Sequence, residues 1–128
     1  MRLLVDTQMV LWFVLEDKRL PLRVNRAIQN PKNECFVSKV SLWEIAVKHS
    51  IGRLDLKKGL SGTFDVIQSD FSLLDISIAR IRQISQLPQH HADPFDRLLL
   101  AQAQVEELMI ATSDQYFSAY DVPLLFEP

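Results

Sequence analysis

The chain has one cysteine, Cys35, three glycines in 128 residues, and no lysine or arginine after Arg97. Each scarcity removes a class of protein. A single cysteine permits no intrachain disulfide and no cysteine-based zinc site. Its setting, Glu34-Cys35-Phe36-Val37, reads as a buried strand thiol rather than a reactive one. Three glycines leave no glycine-rich phosphate loop, and no elbow motif supports a serine or cysteine triad. The adjacent His90 and His91 have no partners at zinc-site spacing and read as loop residues. No apolar run is long enough to span a bilayer. Asp6 interrupts the apolar N-terminus early, so no targeting segment is visible and a cytoplasmic location is expected. A net charge of −2 argues against a general nucleic-acid coating protein.

Hydrophobic residues make up 48% and charged residues 23% of the chain. At this length, those proportions predict one soluble globular domain over residues 1–128. Charge is unevenly placed. Residues 39–58 hold five lysines and arginines against Glu44 and Asp55, while five acids and no bases follow Arg97. The basic stretch reads either as a solvated surface or as a guide for a phosphate backbone.

Short apolar runs predict strands at Arg2–Val5, Cys35–Val37, Phe71–Leu74, Met109–Ala111 and Pro123–Phe126. Helical patterns fall between them, at Thr7–Leu15, Arg23–Gln29, Ser41–Ser50, Ile78–Gln86 and Pro94–Glu107. Residues 63–68 are weakly helical, Gly59 and Gly62 bracket a turn, and Tyr116–Ala119 reads as one further helical turn. Strands that alternate with helices, and that are apolar throughout, indicate a parallel sheet covered on both faces. Sites in such sheets form beyond the carboxyl ends of the strands. Asp6 and Asp114 both stand at such ends.

Four acids lie beside or within strongly apolar sequence: Asp6, Glu44, Asp96 and Asp114. An unpaired carboxylate near a core costs several kcal/mol. A divalent cation removes that cost and the mutual repulsion of clustered acids, and carboxylate oxygens suit Mg²⁺ and Mn²⁺. Each acid also has a structural reading. Asp6 and Asp114 are placed to cap the elements that follow them. Ser41-Leu42-Trp43-Glu44 has capping-box spacing, which would fold Glu44 back on a helix start with Ser41 as N-cap. Asp93, followed by Pro94, is chiefly a helix cap. Asp96 differs, because Leu99, Leu100 and Ala103 follow it at helical spacing, so it prolongs a buried stripe. Arg97, adjacent to it, points elsewhere on a helix.

Three blocks then carry a family resemblance. They are Leu3-Leu4-Val5-Asp6-Thr7 with Leu11-Trp12; Val40-Ser41-Leu42-Trp43-Glu44-Ile45-Ala46-Val47-Lys48 closing with Gly52-Arg53-Leu54; and His91-Ala92-Asp93-Pro94-Phe95-Asp96-Arg97-Leu98-Leu99, followed by Ala111-Thr112-Ser113-Asp114 and the stretch from Phe117 to Tyr120. In this order the chain resembles PIN-domain ribonucleases, specifically the VapC toxins of toxin–antitoxin pairs. The resemblance implies an α/β/α sandwich around a parallel five-stranded sheet. It implies that Asp6, Glu44, Asp96 and Asp114 hold one or two Mg²⁺ or Mn²⁺ ions, with Asp93 assisting. The metal would activate a water for attack on an RNA phosphodiester, leaving a 5′-phosphate and a 3′-hydroxyl. Thr112 or Ser113 would position that water. The resemblance also implies a cognate VapB-like antitoxin in a groove near the site and a homodimer. Leu11, Trp12, Leu15, Leu42 and Trp43 are apolar material for the groove, or ordinary core. Gln8 departs from the family, many of whose members have His there; Gln cannot shuttle protons.

Two other readings compete. One is a non-catalytic binding protein whose acids are caps and surface charge; the other is a PIN-type nuclease acting on DNA. A response-regulator-like pocket needs paired acids after the first strand and a strand-end lysine, and Asp6-Thr7 supplies neither.

Overall fold

The computed structural model describes residues 1–88 and 93–126, so the reading of His90 and His91 as loop residues falls outside the described part. Five strands form one sheet: β1 (Arg2–Val5), β2 (Glu34–Ser38), β3 (Ser72–Leu74), β4 (Met109–Thr112) and β5 (Leu124–Phe126). Their order is β3-β2-β1-β4-β5, and every neighbouring pair is parallel. Among the described residues six helices cover it: α1 (Thr7–Val14), α2 (Leu22–Gln29), α3 (Lys39–Ser50), α4 (Gly59–Asp70), α5 (Ile78–Ile84) and α6 (Pro94–Glu106). This is the covered parallel sheet that the alternating pattern indicates, and the five-stranded α/β/α sandwich that the family resemblance implies.

β1 explains the apolar strands. Leu3, Leu4 and Val5 are all fully buried. Leu3 and Val5 pack into the core with α1, and Leu4 packs into the core with α6. A strand covered on both faces has no solvent side, so it reads as a continuous apolar run. Each such side chain contributes roughly 1.5–3 kcal/mol by burial. Cys35 belongs to the same core, and burial pushes its thiol pKa up.

The topology fixes where a site can form. The chain runs outward from β1 through β2 to β3, then returns to the other side of β1 for β4 and β5. The order therefore reverses between β1 and β4, which pair from Leu3 with Met109 to Val5 with Ala111. Beyond this switch point the loops diverge and leave a crevice.

Two helices differ from the sequence reading. α3 starts at Lys39, with Ser38 as its N-cap accepting from the Val40 N–H. The capping box at Ser41 and Glu44 is therefore not formed. Ser41 is wholly buried inside the first turn, and Glu44 lies further along the helix. Ser38 wins because it ends β2, and its hydroxyl also bonds Gln102 of α6, so tertiary contact selects the earlier cap. α4 is longer than residues 63–68 and includes both Gly59 and Gly62. Burial of Thr63 and Ile67, and the bond from the Thr63 hydroxyl to the Gly59 carbonyl (2.8 Å), outweigh the poor helix propensity of glycine.

A carboxylate-lined cavity at the sheet switch point

Asp6 follows β1 directly, and its backbone N–H continues the ladder to Ala111 O at 3.1 Å. Its side chain caps α1, with Oδ1 accepting from Met9 N at 2.8 Å. Asp114 stands two residues beyond β4 and caps the following 3₁₀ turn, accepting from Tyr116 N at 2.9 Å. Thr112 lies wholly buried behind the pair. Its hydroxyl accepts from Asp114 N at 2.9 Å and hydrogen-bonds the Asp6 carboxylate.

Asp93 caps α6, accepting from Phe95 N and Asp96 N. The Asp-Pro pair thus starts the helix as its chemistry dictates, with Pro94 in the first turn. Asp96 sits half-buried one turn ahead of the fully buried Leu99 and Leu100. Arg97 turns away from the cavity and is buried, donating to the carbonyls of Pro88 (2.9 Å) and Ile84 (3.1 Å).

Glu44 reaches the same place from α3. Oε1 accepts from the Thr7 hydroxyl at 2.7 Å, and Oε2 pairs with Lys48 Nζ at 2.7 Å. Thr7 and Ser41 hydroxyl oxygens are 2.8 Å apart. Because a carboxylate only accepts, the Thr7 proton goes to Glu44 and the Ser41 hydroxyl donates to Thr7. α3 and α6, which carry Glu44 and Asp96, are tied together by the Ser38–Gln102 bond, while Gln102 Nε2 donates to Asp75 O at 3.2 Å. At its other end α3 stops at Gly52, in the left-handed region with φ +76°, where Arg53 N reaches back to Lys48 O at 2.9 Å. That turn returns Leu54 to the cavity wall.

Asp6, Glu44, Asp93, Asp96, Ser113 and Asp114 line one cavity of about 280 Å³, walled also by Thr7, Gln8, Leu11 and Lys48. Of the candidates named from sequence, only Thr112 lies behind the wall rather than in it. Sequence reasoning missed Thr7 and Lys48. Only the i, i+4 spacing of Glu44 and Lys48 hinted at the lysine, which otherwise read as part of a basic surface.

The electrostatics follow from burial. Asp6 is pushed up from 3.8 to about 6, chiefly by desolvation. Hydrogen bonds from Thr112 and Met9 oppose the shift, and the charges of Asp114 and Glu44 add to it. The donor set is hard oxygen at high negative charge density, which suits Mg²⁺ or Mn²⁺. Capping is compatible with ligation, since a cap needs one carboxylate oxygen. Among the described residues, no three of these side chains already meet as an ion cage. Glu44 is held instead by Thr7 and Lys48.

An acid-lined cavity at the switch point of a fully parallel sheet defines an α/β protein with its site beyond the central strand ends. The PIN-domain family model matches residues 3–123, and the chain belongs to that family. Similar solved structures include VapBC2 from Rickettsia felis bound to a DNA fragment from its promoter, at TM-score 0.76 and 14% identity over 100% of both chains. DNA-bound VapBC from Salmonella typhimurium matches at TM-score 0.70 and 15% identity, and VapBC-1 from nontypeable Haemophilus influenzae at 0.71 and 14%, each over 98% of both chains. At such identities the likeness is one of fold. No curated protein sequence matches the chain.

Proposed function

We propose that this PIN-domain protein is a VapC-type toxin, a metal-dependent endoribonuclease held inactive by a cognate antitoxin. The observation that carries the reading is the gathering of Asp6, Glu44, Asp96 and Asp114 on one cavity at the sheet switch point. These four would hold Mg²⁺ or Mn²⁺, which when bound supplies Lewis acidity and an activated water. The chain's own residues set the stage. Thr112 locks Asp6 to the loop carrying Asp114, and Thr7 fixes one oxygen of Glu44. Asp93 in this reading orients Asp96 by capping their shared helix. Ser113, on the cavity wall, is placed to hydrogen-bond a water or a phosphate oxygen. Gln8 is exposed at the rim and contributes hydrogen bonding without proton transfer.

The antitoxin is assigned to a second cavity of about 550 Å³ between α1, α2 and α4. Trp12 lines it, and its indole N–H is buried with no hydrogen-bond partner among the described residues. A peptide carbonyl would satisfy it once binding turns the edge of the ring toward the groove. Self-association belongs to the same reading: Trp43 and Val47 on α3 and Ile51 at its C-cap are exposed at four-residue spacing. No helix among the described residues is long and apolar enough to cross a membrane.

One observation favours the rival binding-protein reading: Asp6, Asp93 and Asp114 all serve as caps. Cleavage of total RNA by the purified antitoxin-free protein decides between them, run with Mg²⁺, Mn²⁺ or EDTA beside Asp6→Asn and Asp96→Asn. Discrete metal-dependent cuts lost in both variants support the nuclease. Equal inertness of all three folded proteins gives the acids to structure, and cuts confined to DNA in parallel reactions give the site to a DNA nuclease.

A further inference from the structure

The acid-lined cavity also carries a positive charge. Lys48 is the only lysine or arginine among its described lining residues. Its Nζ lies 2.7 Å from Glu44 Oε2, and the two side chains differ sharply in burial, with Glu44 6% exposed and Lys48 41% exposed. The carboxylate is thus fixed in the wall, while the ammonium arrives over it from the solvent side on a flexible four-carbon stem. A buried carboxylate needs a cation, and here the chain supplies its own. An acid-walled cavity meant for a phosphate also repels that phosphate, so a mobile cation at its mouth serves both states.

We infer that Lys48 is the internal counter-ion of Glu44, displaced when a divalent cation occupies the cavity and then used to grip a backbone phosphate of the RNA strand. This deepens the nuclease reading and rests on it. The ammonium suits an exchange of partners. It is a compact, strongly hydrated charge with rotatable donors, whereas a guanidinium would hold the carboxylate in a rigid fork. Glu44 has a second anchor in its Thr7 bond, which holds the carboxylate in the wall when the lysine leaves.

The role has a signature that simple structural support lacks, because metal and RNA affinity move in opposite directions. The test uses the full-length protein with Lys48→Met and Lys48→Arg. Mn²⁺ binding is followed by calorimetry without RNA, and cleavage of a labelled oligoribonucleotide spanning a mapped cut is followed at saturating Mn²⁺. Lys48→Met is expected to bind Mn²⁺ several-fold more tightly, since a competing charge is gone. Its KM for RNA is expected to rise about tenfold. The slope of log affinity against log salt should become shallower by about 0.7, the value of one phosphate contact on a single strand. Lys48→Arg should bind Mn²⁺ more weakly than wild type, because its fork holds Glu44, and should retain the wild-type slope once Mn²⁺ is saturating. Weakening of both metal and RNA binding in Lys48→Met would show that the pair merely braces α3, and unchanged values for both would show that Lys48 touches neither ligand; either result overturns the inference while leaving the nuclease intact. Failure of the wild-type protein to bind Mn²⁺ and to cut RNA removes the nuclease reading, and this inference with it.

Discussion

Leu11 and Trp12 are consecutive residues of α1, yet they open onto different cavities. Leu11 joins the acid-lined cavity and Trp12 the groove between α1, α2 and α4. The two regions are built by opposite means. In the acid cavity the carboxylates are held by backbone caps and buried hydroxyls, so their positions are set before any ligand arrives. In the groove a buried donor is left without a partner among the described residues, and the ionic contact nearby, Asp17 with Arg19, is local and solvent-exposed. The first arrangement suits chemistry, which needs preorganised charge. The second suits recognition, in which the ligand completes the hydrogen bonding.

The largest expected effect separates the two regions outright. Asp6→Asn or Asp96→Asn should lower RNA cleavage at least about a thousandfold, roughly 4 kcal/mol, while antitoxin capture, measured by pull-down with the cognate partner, stays at the wild-type level. Retained cleavage in both variants would undo the contrast.

Next comes pH. Asp6 holds its proton more tightly folded than unfolded, with a pKa of about 6 against 3.8. The stability this contributes is present below 3.8 and is lost as pH rises through 6. Metal-free wild type should therefore lose roughly 2 kcal/mol between pH 4 and pH 7 relative to Asp6→Asn. Denaturant melts at the two pH values measure it. Mn²⁺ should restore the difference in wild type only.

A smaller effect tests how rigidly the acid cavity is braced. Ser38→Ala removes the cap of α3 and strips a partner from the buried Gln102, which should cost about 2 kcal/mol of stability. Cleavage should fall with it, because Glu44 and Asp96 ride on the helices this bond joins. A stability loss with unchanged cleavage would show that the cavity tolerates relative movement of α3 and α6.

The smallest expected effect belongs to the groove. Trp12→Phe keeps the bulk and deletes the N–H, and should weaken antitoxin binding by about 1 kcal/mol, roughly fivefold. Surface plasmon resonance reads this, and cleavage should not change.

How much of this was legible beforehand differs by region. The strands were readable because burial on both faces leaves only apolar residues, as Leu3, Leu4 and Val5 illustrate. Asp93-Pro94 announced the start of α6 through local chemistry. The gathering of acids near the ends of β1 and β4 followed from alternation and parallelism. The bonds that join elements were not readable. Ser38 and Ser41 are both capable caps, and the choice is made by Gln102, 64 residues from Ser38. Thr7 contacts Glu44 across 37 residues, and nothing local distinguishes its hydroxyl from a solvated one. α4 runs through two glycines because Thr63 and Ile67 are buried, a tertiary gain that propensity does not report. Trp12 read as core or groove from sequence, and only the unpartnered N–H distinguishes the two.

The central position of β1 sets the order in which the cavity is completed during synthesis. Asp6 is made first, Glu44 arrives after β2, and Asp96 and Asp114 come only with α6 and β4. β1 pairs with β2 on one side and with β4 on the other. A nascent chain interrupted before residue 109 has three of the five strands and lacks Ser113 and Asp114 of the cavity wall. With the last acid placed after the last inner strand, the cavity is complete only once β4 has been made, and shorter fragments carry most of the PIN sequence without it.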